Sequence, residues 1–139
     1  MTCVLIVEDE PTVRRAIARA FTASGWGVTQ AETLKRAAEC VAEREAPYDC
    51  VVLDLELPDG SGLALAQELR SRDPGVQLVF FSGSDDPELL SAASSLALSV
   101  HKSEGIRTLV DQVVELLRPP TRSQAFLVGA GEPERSSGT

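Results

Sequence analysis

The chain reads as a single α/β domain with a doubly wound parallel sheet, and three observations predict it. Continuous apolar runs at Cys3 to Val7, Cys50 to Leu53 and Leu78 to Phe81 are too short for helices, and acidic, Pro, Gly or Ser residues bound each one. That is the pattern of strands buried on both faces. Between the runs, apolar residues recur three and four apart, the inward stripe of an amphipathic helix. Finally, 139 residues that are 43% apolar and 24% charged have the composition of a globular protein and room for one ordinary core.

Taken in order, Cys3 to Val7 is the first strand, and Pro11, after an acidic run, suits the first turn of a helix whose stripe is Val13, Ile17, Ala20 and Phe21. Gly27 to Ala31 is a weaker second strand. Thr33 then stands as N-cap region to a helix with Leu34, Ala37, Ala38 and Val41 on one face. Cys50 to Leu53 is the third strand, and Ser61 is the N-cap region of the helix carrying Leu63, Ala66 and Leu69. After the fourth strand, Leu78 to Phe81, a helix spans about Pro87 to Ser94, Ser99 to His101 forms a fifth strand, and Ile106 to Leu117 a fifth helix. Strict alternation implies right-handed crossovers, with helices on both faces of the sheet. The expected architecture is five strands in the flavodoxin-like order 2-1-3-4-5 with five helices. Beyond Arg118 the text turns rich in Pro, Gly, Ser and charge, so a domain over 1–118 and a tail or linker over 119–139 are expected, with Phe126 to Val128 as the one apolar stretch able to anchor the tail.

Composition also excludes functions. Asp and Glu outnumber Lys and Arg by 21 to 13, a formal charge of −8, which opposes direct binding to nucleic acid or to anionic membrane surfaces. No apolar run approaches the ~20 residues that cross a bilayer, and Met1 to Val7 enters a strand without a basic flank, so a cytoplasmic protein is expected. Cys3, Cys40 and Cys50 are odd in number, lack CxxC spacing and sit among apolar neighbours, the setting of reduced, buried thiols.

In an open parallel sheet, ligands bind beyond the carboxyl ends of the strands, near the point where strand order reverses. The first strand ends in Glu8, Asp9 and Glu10, the third in Asp54, the fourth in Ser82 and the fifth in Lys102. Strands one and three are neighbours in the expected order, so Glu8, Asp9 and Asp54 converge, with Ser82 and Lys102 flanking them. Clustered carboxylates need a cation to stay ionised, and an oxygen-only set favours Mg2+, with Mn2+ possible, over zinc. A carboxylate beside a divalent cation, a lysine and a hydroxyl is suited to phosphoryl transfer: Asp54 attacks phosphorus, the cation and Lys102 hold the charge on the phosphoryl oxygens, and Ser82 hydrogen-bonds one of them. Lys102 is thus expected to meet phosphate rather than the cation. His101, the only histidine, is read as a structural or surface residue. Gly60-Ser61-Gly62 opens a helix after a strand, but Leu65 stands where a dinucleotide loop needs its third glycine.

At these residues the chain resembles the receiver domains of two-component signalling: LIVEDEPTVRRAI at the first strand, VVLDLELPDGSGL around Asp54, FFSGS at Ser82 and VHKSE at Lys102. The resemblance covers roughly residues 2 to 118. It implies that Asp54 is the phosphoacceptor, Glu8 and Asp9 the acidic pair, the backbone carbonyl of Glu56 a further metal ligand, Ser82 the switch hydroxyl and Lys102 the family's lysine. It also implies a sensor histidine kinase or phosphotransfer protein as donor, and a monomer or weak homodimer that signals by protein contact. The chain departs from the pattern at Ser99, where many receivers carry Tyr or Phe, and at Ser103, which replaces a common Pro and predicts a trans peptide. The stretch from Ser82 to Lys102 is short against typical receivers, which predicts a truncated or irregular fourth helix. These departures favour the alternative of a degenerate receiver that acts as a phosphorylation-independent docking module. Asp54-Leu55-Glu56 superficially matches the DxD motif of haloacid-dehalogenase-like phosphatases, but that motif belongs on a first strand.

Overall fold

The structure, a computed structural model, describes residues 1–119; Phe126 to Val128 and the rest of the expected tail lie outside them. The elements run β1 (Cys3–Val7), α1 (Pro11–Ala23), β2 (Gly27–Ala31), α2 (Leu34–Ala42), β3 (Cys50–Leu53), β4 (Glu56–Leu57), β5 (Gly60–Ser61), α3 (Gly62–Arg72), β6 (Gln77–Ser82), α4 (Pro87–Leu96), β7 (Leu98–His101), a 3-10 turn (Lys102–Glu104) and α5 (Gly105–Leu117). The main sheet is parallel, in the order β2-β1-β3-β6-β7. Counting only its own strands, that is the expected 2-1-3-4-5. Pro11 and Pro87 each open a helix, and the Thr33 and Ser61 hydroxyls accept the N–H groups of Arg36 and Leu63 as N-caps.

The period of two along each strand divides the core. Leu5, Val7, Val51, Leu53, Leu78 and Phe80 face one side with Ala37, Leu65, Ala66 and Ala93 from α2, α3 and α4. Val4, Ile6, Val52, Val79, Phe81 and Val100 face the other, against Ile17 and Phe21 of α1 and Leu109 and Val113 of α5. Such strands are buried on both faces, which is why they read as unbroken apolar runs. Cys40 and Cys50 are buried, Cys3 is half-buried and all three are free thiols. Burial, then the neighbouring Asp49 charge, pushes the Cys50 thiol up to about 12.

Two elements differ from expectation. The fourth helix is a ten-residue α-helix reaching Leu96, because Leu89, Ala93 and Leu96 continue one stripe past the serines at 94 and 95. The second is a two-stranded antiparallel ribbon, with Glu56 opposite Ser61 and Leu57 opposite Gly60, between Asp54 and α3. At the tip of this ribbon the Asp59 carboxylate accepts the N–H groups of Leu34 at 2.9 Å and Lys35 at 3.0 Å, capping α2 from 24 and 25 residues away. These two hydrogen bonds hold its carboxyl below the ordinary carboxylate range. A lowered folded-state value means a stabilising contribution that is full above the unfolded pKa of about 3.9 and is lost as pH falls through the folded value. We therefore expect Asp59→Ala to melt below the wild type at neutral pH, with the gap closing in acid. Paired thermal melts across that range check it, and a gap that widens in acid would contradict the capping role.

Candidate functional site

Because β1 and β3 are neighbours, their ends bring the acids together: Asp54 N–H donates to the Val7 carbonyl at 3.0 Å and Glu8 N–H to the Ala31 carbonyl at 3.0 Å. One carboxylate oxygen each from Glu8, Asp9 and Asp54 lies within 4.8 Å of the others. Glu8 is 2% exposed and Asp54 6%, while Asp9 is exposed and opens the cluster to solvent. The Lys102 ammonium reaches over from the end of β7 and donates to Glu8 Oε1 and to Asp54 Oδ2, each at 2.9 Å. The remaining oxygens take backbone donors: Glu8 Oε2 accepts the Glu10 N–H at 3.0 Å and Asp54 Oδ1 the Glu56 N–H at 3.2 Å. Lys102 thus contacts the carboxylates themselves.

Burial is the strongest influence on Glu8 and lifts its carboxyl above the usual range; hydrogen bonds from Lys102 and the Glu10 N–H pull against it without prevailing, and the Asp54 charge adds to the rise. For Lys102, burial pulls downward, but the hydrogen bonds and charges of Asp54 and Glu8 outweigh it, so the amine is held above its ordinary value and stays an ammonium.

Ser82 ends β6 with 3% exposure, and its Oγ accepts the Ser84 N–H at 3.2 Å, leaving the hydroxyl hydrogen free to donate. A Cβ built on the next residue, Gly83, would meet Lys102 Cδ at 3.8 Å, so the lysine stem passes beside this loop. Glu56 sits two residues past Asp54 with an exposed side chain. His101 contacts Asp85 Oδ1 at 3.1 Å through Nε2 and Ser103 Oγ at 2.8 Å through Nδ1, a surface tether between the loop after β6 and the end of β7. The described residues contain no cis peptide, Lys102-Ser103 included. Ser99 Oγ is buried without a partner, beside a cavity of about 210 Å³ lined by Leu55, Phe80, Ser82 and Leu90. A larger cavity, about 410 Å³, lies at the opposite end of the sheet among Val41, Tyr48, Leu69 and Val76. It holds none of the clustered acids, so donor chemistry rather than cavity size locates the site.

Three residues with a bearing on the site escaped sequence reasoning. Arg14 is buried, and Nη1 donates to the Glu8 carbonyl at 3.1 Å and, at 3.5 Å, to that of Asp9. Its spacing with Ile17, Ala18 and Phe21 puts a charge on the buried stripe of α1, and that was the available signal. A Cβ on Gly62 would fall 1.9 Å from the Asp54 carbonyl oxygen, so α3 packs on the Asp54 backbone where only glycine fits. Asp59 is the third.

A model of the response regulator receiver domain family matches residues 4–113. Over 85 residues, 61% of this chain and 36% of the relative, the chain is 39% identical to the probable transcriptional regulatory protein TcrX of Mycobacterium tuberculosis. Over 92 residues, 66% of this chain and 40% of the relative, it is 38% identical to the KDP operon transcriptional regulatory protein KdpE of Escherichia coli. The chain thus spans well under half the length of these two relatives. The structure resembles that of the response regulator protein TrrA of Thermotoga maritima, solved in complex with Mg2+ and BeF, with a TM-score of 0.73 and 26% identity over 84% of this chain and 99% of that one. With its sheet order, its acid cluster and a family match over most of its length, the chain belongs to the response regulator receiver domain family, the signalling modules of two-component systems.

Proposed function

We propose that this receiver accepts a phosphoryl group on Asp54 from a sensor histidine kinase or phosphotransfer protein, with Mg2+ or Mn2+ beside it, and signals by protein contact. The observation that carries the reading is the Asp54 carboxylate, held by a lysine ammonium at 2.9 Å and clustered with the carboxylates of Glu8 and Asp9. The cluster suits a hard divalent cation, since its donors are all oxygen and neither thiol nor imidazole joins them. Glu8, Asp9, Asp54 and the Glu56 carbonyl are the groups to hold it, and the complex of TrrA with Mg2+ and BeF supports the same occupancy here. When bound, the cation supplies positive charge to the phosphoryl oxygens.

In the transfer step an Asp54 carboxylate oxygen attacks phosphorus as the donor's P–N bond breaks; the bonding pair leaves with the donor imidazole, which takes up a proton. Lys102 turns from the carboxylates to a phosphoryl oxygen, and the Ser82 hydroxyl donates to another. We assign this role to a domain over 1–118, with 119–139 as linker or tail, in a cytoplasmic monomer or weak homodimer that makes no direct contact with nucleic acid.

Acetyl phosphate with Mg2+ is expected to add the mass of one phosphoryl group as a base-labile acyl phosphate, with Asp54→Asn blocking it and Asp9→Ala abolishing the Mg2+ dependence. Intact-mass spectrometry reads the outcome. Labelling that persists in Asp54→Asn places the nucleophile elsewhere. The unpartnered Ser99 Oγ, standing where many receivers carry a ring, favours the second reading of a phosphorylation-independent docking module, and a wild type that takes no label would establish that one.

A further inference from the structure

Arg14 stands out as a buried guanidinium, 9% exposed, that pairs with no carboxylate among the described residues. Burying a charge is costly unless fixed dipoles replace its water. Here they are carbonyls of one short segment. Nη1 donates to the Glu8 carbonyl at 3.1 Å and, more loosely, to that of Asp9 at 3.5 Å, while the Arg14 backbone N–H donates to the Glu10 carbonyl at 2.9 Å. All three carbonyls of the acidic segment therefore accept from one residue. Nε donates to Gln30 Oε1 at 3.3 Å, which ties the same guanidinium to the edge strand β2. The segment needs such a clamp, because Glu10 provides no side-chain cap to α1.

We infer that Arg14 is a positioning residue for the acidic pair: it fixes the backbone of Glu8 and Asp9 so that their carboxylates converge with Asp54 on a divalent cation. The inference rests on the proposal that this cluster takes Mg2+. Its logic is that of groups outside the coordination sphere that orient ligands, whose loss weakens metal affinity about 10- to 100-fold. A guanidinium can serve two carbonyls and an amide oxygen through its rigid fork, whereas an ammonium is a point donor.

Charge and geometry pull in opposite directions, and that makes the role testable. If Arg14 acted only through its charge, Arg14→Lys would bind Mg2+ as the wild type does and Arg14→Gln would bind it more tightly, since a cation behind the cluster repels another. If it acted only in packing, variants would melt earlier, yet their folded forms would bind Mg2+ unchanged. Positioning predicts that Arg14→Lys weakens Mg2+ binding about tenfold, that Arg14→Gln weakens it also, and that Gln30→Ala, an exposed site whose loss leaves the core intact, weakens it about twofold. Mg2+ titrations followed by amide shifts of residues 8–10 and by calorimetry, run well below each variant's melting temperature, give the affinities. Wild-type affinity in folded Arg14→Lys, or tighter binding in Arg14→Gln, overturns the positioning role alone. A wild type with no Mg2+ response overturns the metal reading and the inference with it.

Discussion

Gly62→Ala should destabilise the fold by about 3 kcal/mol, the upper part of the range for overpacking. The added methyl would lie 1.9 Å from the Asp54 carbonyl oxygen and 3.0 Å from its carbonyl carbon, and both obstacles are backbone, so no side-chain rotation relieves them. The Gly62 N–H donates to the Leu55 carbonyl at 3.0 Å, which pins the start of α3 to the segment it would need to leave. Helix propensity works the other way, favouring Ala over Gly by about 1 kcal/mol in a helix interior, and is too small to compensate. For a domain of this size the loss corresponds to a melting temperature roughly 10 °C lower. The displaced atoms belong to Asp54 itself, so phosphoryl uptake should fall even where the variant is folded. Gly83→Ala is the control: its methyl meets only Lys102 Cδ at an ordinary 3.8 Å, and its melt should stay close to wild type. Equal melts for Gly62→Ala and Gly83→Ala would remove the close approach as a constraint.

What the sequence showed and what it hid follow from how far each signal reaches along the chain. The long strands were legible because burial on both faces leaves unbroken apolar runs, and the convergence of Glu8, Asp9, Asp54 and Lys102 followed from strand order plus the rule that sites lie at strand ends. The β4–β5 ribbon was not legible, since two residues per strand hold no period and their pairing depends on the intervening turn at Pro58 and Asp59. Nor was the Asp59 cap, whose partners are far away in sequence. The end of α4 was misjudged by comparing a length, whereas the stripe of Leu89, Ala93 and Leu96 carried the information. The partners of Lys102 were hidden for another reason: sequence position placed the ammonium near the acids without saying whether it would rest on them.

It does rest on them, and we expect Lys102→Ala to bind Mg2+ about tenfold more tightly while losing most of its phosphoryl uptake. The ammonium donates to Glu8 Oε1 and Asp54 Oδ2 at 2.9 Å each, so a divalent cation and the lysine compete for the same two carboxylates. In a partly solvated site each pair at such separations amounts to about 4 kcal/mol of raw Coulomb attraction. The Lys102 side chain is 28% exposed, and water returning to the vacated carboxylates recovers much of that, which leaves a net effect on the order of the 1.4 kcal/mol that a tenfold change represents. Glu8 limits the gain. Burial already lifts its carboxyl, and without the lysine's hydrogen bond it rises further, so part of the Glu8 population takes a proton as pH falls and the extra affinity shrinks. The enhancement should therefore be larger in mildly alkaline than in mildly acidic buffer. Phosphoryl uptake should move the opposite way, because the cation alone cannot replace the ammonium that turns onto the phosphoryl oxygens. Calorimetric Mg2+ titration at two pH values, beside intact-mass kinetics with acetyl phosphate, separates the two roles. Weaker Mg2+ binding in the variant would make Lys102 a support of the cation rather than its competitor, and undiminished phosphorylation would remove it from the transfer step.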